Sequence, residues 1–401
     1  MSPKRPILAF NDEIHKPVKV SDAVASISSG TSVNSEDTPI SDDSKLGVLK
    51  TSCVSGGCFI PSENKTILKS EYSRVKHSVE AGEVIVSRMN TPLLVGEVGY
   101  VASSYGNLFL PDRLWALKAQ QNFSARWLTY YLTTPKIKFR LKELATGTSG
   151  SMKNISQPSF LGIQLHAPSP QEQQKIADFL TSVDTKISQL TEKHRLLKEY
   201  KQGVMQQIFS QQIRFKDEDG KAFPDWKTEA IGKYLEPYKE LVPASTDLPI
   251  LTSSRTGLYL QERSVINDGD YGVVPLGYFT YRHMSDDLIF KFNVNRNYTR
   301  GAISKEYPVF KTVGMDTYFL ETKLNEGHEF KRFAIQQKQG GTRTRLYFKN
   351  LKELKLALPC LAEQQKIAQF LQSLDSKIDA VAEQIEQTKQ FKKGLLQQMF
   401  V

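Results

Sequence analysis

The side chains best suited to chemistry in this chain are arginines, lysines, asparagines and aromatics, gathered in runs that contain no acid. The longest run, Arg113 to Lys142, holds Arg113, Lys118, Arg126, Lys136, Lys138, Arg140 and Lys142, with Trp115, Phe123, Trp127, Tyr130 and Tyr131 between them. The aromatics read as the core face of helices. Lys138 and Arg140 read as phosphate contacts, which position a duplex without reading it, although a solvated helix face would look the same. A second run, KQGGTRTR from Lys338 to Arg345, combines two glycines with Thr342, Arg343 and Arg345. Alternation in an extended strand puts both arginines on one face, suited to bidentate contact with guanine or phosphate; a simple turn is the competing reading. TGTSGSMKN, from Thr146 to Asn154, matches it and offers Thr148, Ser149 and Lys153. The third run, KFNVNRNYTRG, presents Asn295, Arg296 and Arg300, with Tyr281, Arg282 and His283 upstream. Asparagine pairs with adenine and arginine with guanine. In the fourth, Arg88 and Asn90 follow the strand-like GEVIV, with Lys50 and Ser52 as possible companions, and Arg255 in TSSRTG holds a comparable place later in the chain.

A net charge of +10, mostly in the globular segments, agrees with a polyanionic partner, nucleic acid being the commonest. Enzymatic motifs are nearly absent: there is no Walker A, GxGxxG, HExxH or NPPY-like tetrapeptide, and the six histidines are scattered. Asp316, Glu321 and Lys323 loosely match a D…ExK nuclease motif; a strand with a solvated end is the simpler reading. No catalytic residue, metal site or cofactor is expected in this chain. Cys53, Cys58 and Cys360 fit free thiols of a reducing cytoplasm, and no apolar run reaches membrane-spanning length.

These residues need a scaffold. Residues 1–167 read as strands and turns followed by helices: SARWLTYYL with Ser124 as N-cap, then TPKIKFRLKELATG, opening at Thr134-Pro135 and ending near Gly147. Ser28 to Ser44 reads as a long polar loop. Residues 211–358 show the same outline, with Gly269 before a strand as Gly82 is in the first segment, while the middles of the two segments have diverged. Each segment is followed by a long helix. Pro168–Phe209 and Pro359–Phe400 align without a gap at an offset of 191, with 20 of 42 positions identical. In the first, Ile187, Leu190, His194, Leu197, Lys201, Val204 and Ile208 follow the a/d spacing of a coiled coil; in the second, Ile378, Val381, Ile385, Thr388, Lys392, Leu395 and Met399 do so, with Thr388 and Lys392 as interruptions. Since one such helix alone is marginal, the two are expected to pack antiparallel with approximate two-fold symmetry. A helix from Asp184 to Phe209 would then hold the globular segments roughly 40 Å apart, about one turn of DNA. The expected class is α+β: two similar mixed domains (1–167 and 211–358) separated by long-helix regions (168–210 and 359–401).

With the paired helix starts P-x-x-x-EQQKIA-x-FL-x-S-x-D-x-KI, the endings K-x-G-x-x-QQ-x-F at Lys201 and Lys392, and the RF-x-x-x-x-G-x-x-F-x-x-W approach from Arg214 to Trp226, the whole chain resembles the specificity subunits of type I restriction–modification systems. The first segment departs from the pattern, with Ala9-Phe10 in place of Arg-Phe and no following tryptophan. The resemblance implies two target recognition domains, each reading half of a bipartite double-stranded DNA sequence, and helices that act as a ruler. It also implies docking of two methyltransferase subunits that carry S-adenosylmethionine, and through them of restriction–motor subunits. A self-contained methyltransferase or nuclease, or a protein-only adaptor, are the competing classes.

Overall fold

A computed structural model describes residues 15–147, 151–261, 269–338 and 343–400. The chain divides into two compact units, residues 1–192 with 382–401 and residues 193–381. Each unit therefore holds one globular segment, part of one long helix and part of the other.

In the first unit a six-stranded sheet runs in the order Val24–Ser29, Leu114–Ala119, Val84–Ser87, Val98–Tyr100, Gly57–Phe59, Val54–Ser55. A five-stranded sheet is built around Asn64–Ile67, Gly47–Leu49 and Tyr105–Phe109. Val84, Ile85 and Val86 are fully buried. Such an unbroken β-branched run suits a strand covered on both faces. Gly82 turns the chain into that strand with φ +87°, a left-handed conformation that favours glycine. The expected helices form at Ala125–Leu132, where the Ser124 hydroxyl accepts from Trp127 N, and at Pro135–Leu144. The latter ends before Ala145, short of Gly147, because the chain there turns into a bridge between Thr146 and Asn154. The Ser28–Ser44 stretch is loop apart from the end of its first strand and a short strand at Ser35–Glu36.

The second unit has a four-stranded sheet (Leu235–Tyr238, Val309–Thr312, Phe279–Tyr281, Phe292–Val294) and a three-stranded one around Tyr271–Pro275. Its Asp316–Lys323 segment is not a strand but a helix, Thr317–Glu326. The Asp316 carboxylate caps the helix by accepting from Phe319 N at 2.8 Å, Glu321 pairs with Arg296, and the buried Lys323 pairs with Glu329 at 2.6 Å. The three residues of the nuclease-like pattern thus serve three separate structural bonds. In both units a strand before the globular segment pairs with the strand that leads into the long helix: Lys16–Lys19 with Gln164–Ala167, and Lys227–Ala230 with Lys355–Leu358.

The long helices are continuous, Pro170–Phe209 and Leu361–Met399. Their shared EQQ opening is an anchor. The Gln173 amide donates to Pro168 O and its carbonyl accepts from Ser124 N at 3.0 Å. Gln364 repeats this with Pro359 O and Asp316 N. Glu363 is fully buried and receives Arg214 Nε at 2.8 Å, Arg214 Nη2 at 2.9 Å and Trp226 Nε1 at 3.1 Å. That is what the RF…W approach does: it supplies both partners of a buried carboxylate. In the first unit the matching Glu172 has His15 at 3.9 Å, while Ala9 and Phe10 lie outside the described residues.

Within each unit the two helices run antiparallel. Ile176, Leu180, Val183 and Ile187 pack with Leu395, Met399 and Phe400 in the first; Val204, Met205 and Ile208 pack with Ile367, Leu371 and Leu374 in the second. Leu190, Ile378, Val381 and Ile385 are buried, and His194, Leu197 and Thr388 half-buried. Lys201 and Lys392 do not interrupt the seam: each is paired there with an aspartate, Asp375 and Asp184 respectively.

Candidate nucleic-acid interface

Near the end of each globular segment the chain returns to form a two-residue ladder. In the second unit Met284–Ser285 pairs with Thr344–Arg345, and Leu346 N donates to His283 O at 2.8 Å. In the first unit Met89–Asn90 pairs with Lys153–Asn154, and Ile155 N donates to Arg88 O at 2.9 Å. The ladders match residue for residue on the 153–155 and 344–346 side, yet they present different side chains.

In the second unit the alternation holds: Thr344 is buried, while Arg343 and Arg345 are exposed. Arg343 Nε donates to Asp286 at 2.9 Å and Arg255 to Asp287 at 2.6 Å. Asp287 also accepts from Ser285 Oγ and Ile289 N, and these bonds, the serine's foremost, hold its carboxyl below the usual range. Arg282 and Arg345 are exposed and have no ion pair among the described residues. Between them lies His283, stacked on Tyr347 with ring centroids 6.3 Å apart. Burial lowers its pKa; Glu306 opposes this, and the charges of Arg345 and Arg282 add to it, so the imidazole is neutral near pH 7. Arg255, Arg282, Ser285, Asp286 and Lys291 line a cleft of about 460 Å³. This face offers guanidinium donors beside carboxylate acceptors, the chemistry that distinguishes base edges.

Several residues singled out in the sequence have other duties. Tyr281 is fully buried and spends its hydroxyl on Leu346 O at 3.1 Å. Asn295 is buried and ties its own turn, donating to Val274 O and Tyr298 O. Asn90 is buried against Ser87 and Thr91. These three cannot present their polar groups to a ligand, because a buried polar group needs its hydrogen bonds inside the fold. Arg296 and Arg300 are exposed in part but paired with Glu321 and Glu240. In the first unit Arg88 lies over Trp115 and donates to Asp112 O at 2.8 Å and Asn154 Oδ1 at 3.3 Å. Lys138 pairs with Glu97 at 2.5 Å, Arg140 with Glu143, and Ser52 with Glu63; Lys153 donates to Gly147 O. Lys50 is half-buried. Thr148, Ser149 and Thr342 lie outside the described residues. Beside the first ladder Arg113 is exposed, has no ion pair among the described residues, and accepts from Arg88 N through its carbonyl; a strand-to-turn position in the acid-free run was its only sequence signal.

The model of the type I restriction modification DNA specificity domain matches residues 22–199 and 295–390. The chain belongs to this family. A Methanocaldococcus jannaschii protein assigned as the specificity subunit of the type I restriction enzyme MjaX is 21% identical over 357 residues, covering 80% of this chain and 78% of that one. The Escherichia coli EcoEI specificity subunit is 25% identical over 159 residues, 39% of this chain and 27% of its own. Among solved structures, the S subunit from M. genitalium superposes with a TM-score of 0.60 at 14% identity, covering 100% of this chain and 99% of that one. A structure described for complex assembly and conformational transition of the type I R-M system gives 0.52 at 14% identity, covering 99% of each chain; both likenesses are of fold. As a member of the family, the chain is a non-catalytic specificity subunit with DNA-recognition domains. Among the described residues, no group of side chains is arranged to hold a metal ion, and no helix is long and apolar enough to cross a membrane.

Proposed function

We propose that segments 1–167 and 211–358 each read one half of a bipartite double-stranded DNA target, with the long helices setting the gap between the halves. The observation that carries this reading is the pair of matched ladders: one backbone plan, used twice, presenting different side chains. Arg282, His283 and Arg345 make direct base contact in the second half-site. Arg343 and Arg255 take part after exchanging their aspartates for DNA, and Arg113, Lys136 and Lys142 hold phosphates in the first. A guanidinium already paired to a carboxylate must surrender that bond to bind DNA, and the freed carboxylate repels phosphate; an unpaired one has no such cost.

The helices also dock two methyltransferase subunits. Tyr200 and Phe391 stand at equivalent positions, 191 residues apart, and both rings are exposed on the helix surface. Two equivalent aromatic anchors suit two copies of one partner. S-adenosylmethionine belongs to those partners, and the restriction–motor subunits join through them.

Methylome sequencing of cells expressing this chain with its methyltransferase tests the reading. The expected result is one interrupted motif whose gap changes, with both halves kept, when one helical turn is inserted into each long helix. A continuous motif, or a gap unmoved by the insertion, would overturn it.

A further inference from the structure

In each unit one lysine, one aspartate and one tyrosine meet where the two long helices and the short globular helix converge. In the first unit Lys392 Nζ donates to Asp184 Oδ1 at 2.6 Å, the Tyr130 hydroxyl donates to Asp184 Oδ2 at 2.8 Å, and Lys392 lies 5.2 Å from the centre of the Tyr130 ring. In the second, Lys201 Nζ donates to Asp375 Oδ1 at 2.5 Å and to the Tyr318 hydroxyl at 3.2 Å, and that hydroxyl donates to Asp375 Oδ2. The lysines and aspartates are exchanged by the 191-residue repeat: Asp184 matches Asp375 and Lys201 matches Lys392.

The tyrosines are not matched in this way. Counted from the caps Ser124 and Asp316, Tyr130 is the sixth residue of its helix and Tyr318 the second, one turn apart on the same face. The globular segments have diverged, yet each delivers a phenol to the same carboxylate oxygen from a different position. Packing alone does not require that. A lysine at an a/d position weakens a seam and is useful there when its charge must meet one partner, which specifies register. All three elements are fixed at one point: both long helices through the ion pair, the globular segment through the phenol.

We propose that Lys392–Asp184–Tyr130 and Lys201–Asp375–Tyr318 are positioning locks that hold each recognition domain at one fixed register on the long helices, and so restrict the target to a single spacer length. This rests on the reading of the helices as the spacer. A lock loosened at both ends lets the domains reach half-sites one base pair nearer or farther, without changing the bases read.

The test uses the full chain in complex with its methyltransferase. Lys201→Met with Lys392→Met removes both charges while keeping apolar volume in the seam. Methylation at sites whose spacer is one base pair longer or shorter should rise about tenfold relative to the parent site, the size of coupling usual between contacting residues. Lys201→Arg with Lys392→Arg, which keeps the charge, should restore the single spacer. Tyr130→Phe with Tyr318→Phe keeps every ring and removes only the two hydroxyls, so it stands in should the methionine variant fail to fold; it should relax the spacer in the same direction. Folded variants of either kind that keep one spacer would overturn the locks. The one-turn insertion in both helices separates the two failures: a gap that follows the insertion but ignores the lock variants sinks only the locks, whereas a gap that ignores the insertion sinks the spacer reading itself.

Discussion

The two ladders, one per unit, share a backbone plan and differ in what their cations are doing. Beside Met89–Asn90 the arginine is consumed: Arg88 stacks on Trp115 and donates to Asp112 O and Asn154. Beside Met284–Ser285 the cations face outward, Arg343 lightly held by Asp286, Arg282 and Arg345 without an ion pair among the described residues. A similar contrast appears where the long helices begin. Glu363 is closed by a bidentate arginine and an indole, whereas Glu172 has a histidine at 3.9 Å among its neighbours. Bonds that hold a helix start keep the buried acid and change its partner; surfaces that face outward change freely. A buried carboxylate without a partner is costly, whereas an exposed arginine gained or lost changes stability little.

The largest effect expected from this contrast is at Glu363. Arg214→Ala leaves that carboxylate buried with only the indole as donor and should cost about 3 kcal/mol, the lower end for a broken buried pair because the arginine is itself partly exposed. His15→Ala removes a longer contact, 3.9 Å from Glu172, and should cost less than Arg214→Ala. Calorimetry of both variants checks this, and equal falls in melting temperature would erase the contrast. Next in size is the readout. Arg345→Ala should cost about 1–3 kcal/mol of discrimination at one base pair of the second half-site. Arg343→Ala should lose less than about 1 kcal/mol, since its wild-type side chain must first leave Asp286. Competition binding against singly substituted targets at fixed salt decides; a larger loss at Arg343 would reverse the assignment. The smallest effect is at His283. Its folded pKa lies below the ordinary value of 6.5, so the unfolded chain takes up the proton first on acidification. The stability it contributes is present above about 6.5 and is lost as the pH falls from there toward the folded pKa. His283→Gln should flatten that part of the stability–pH profile, and an unaltered profile would remove His283 from the account.

The alternation in TRTR was readable because a strand has period two, and Arg343 and Arg345 do share the outer face. The sequence could not separate them, because Asp286 reaches Arg343 across a ladder from 57 residues away. Tyr281 and Asn295 looked like surface groups since nothing local shows that their polar atoms are taken by Leu346 O and Val274 O, both distant in the chain. The D…ExK pattern misled for a related reason: Asp316 is a helix cap, and a cap and a strand end look alike until the following residues commit to a helix.

By itself the sequence determined the repeat, the two long helices and the class of segment before each, because periodicity and capping are local and a 191-residue offset needs no coordinates. It could not assign Lys201 and Lys392. On a heptad they are flaws in the seam. Only the tertiary structure, which brings Asp375 and Asp184 opposite them in antiparallel register, makes each a bond, because a charge at an apolar position is judged by the partner that reaches it.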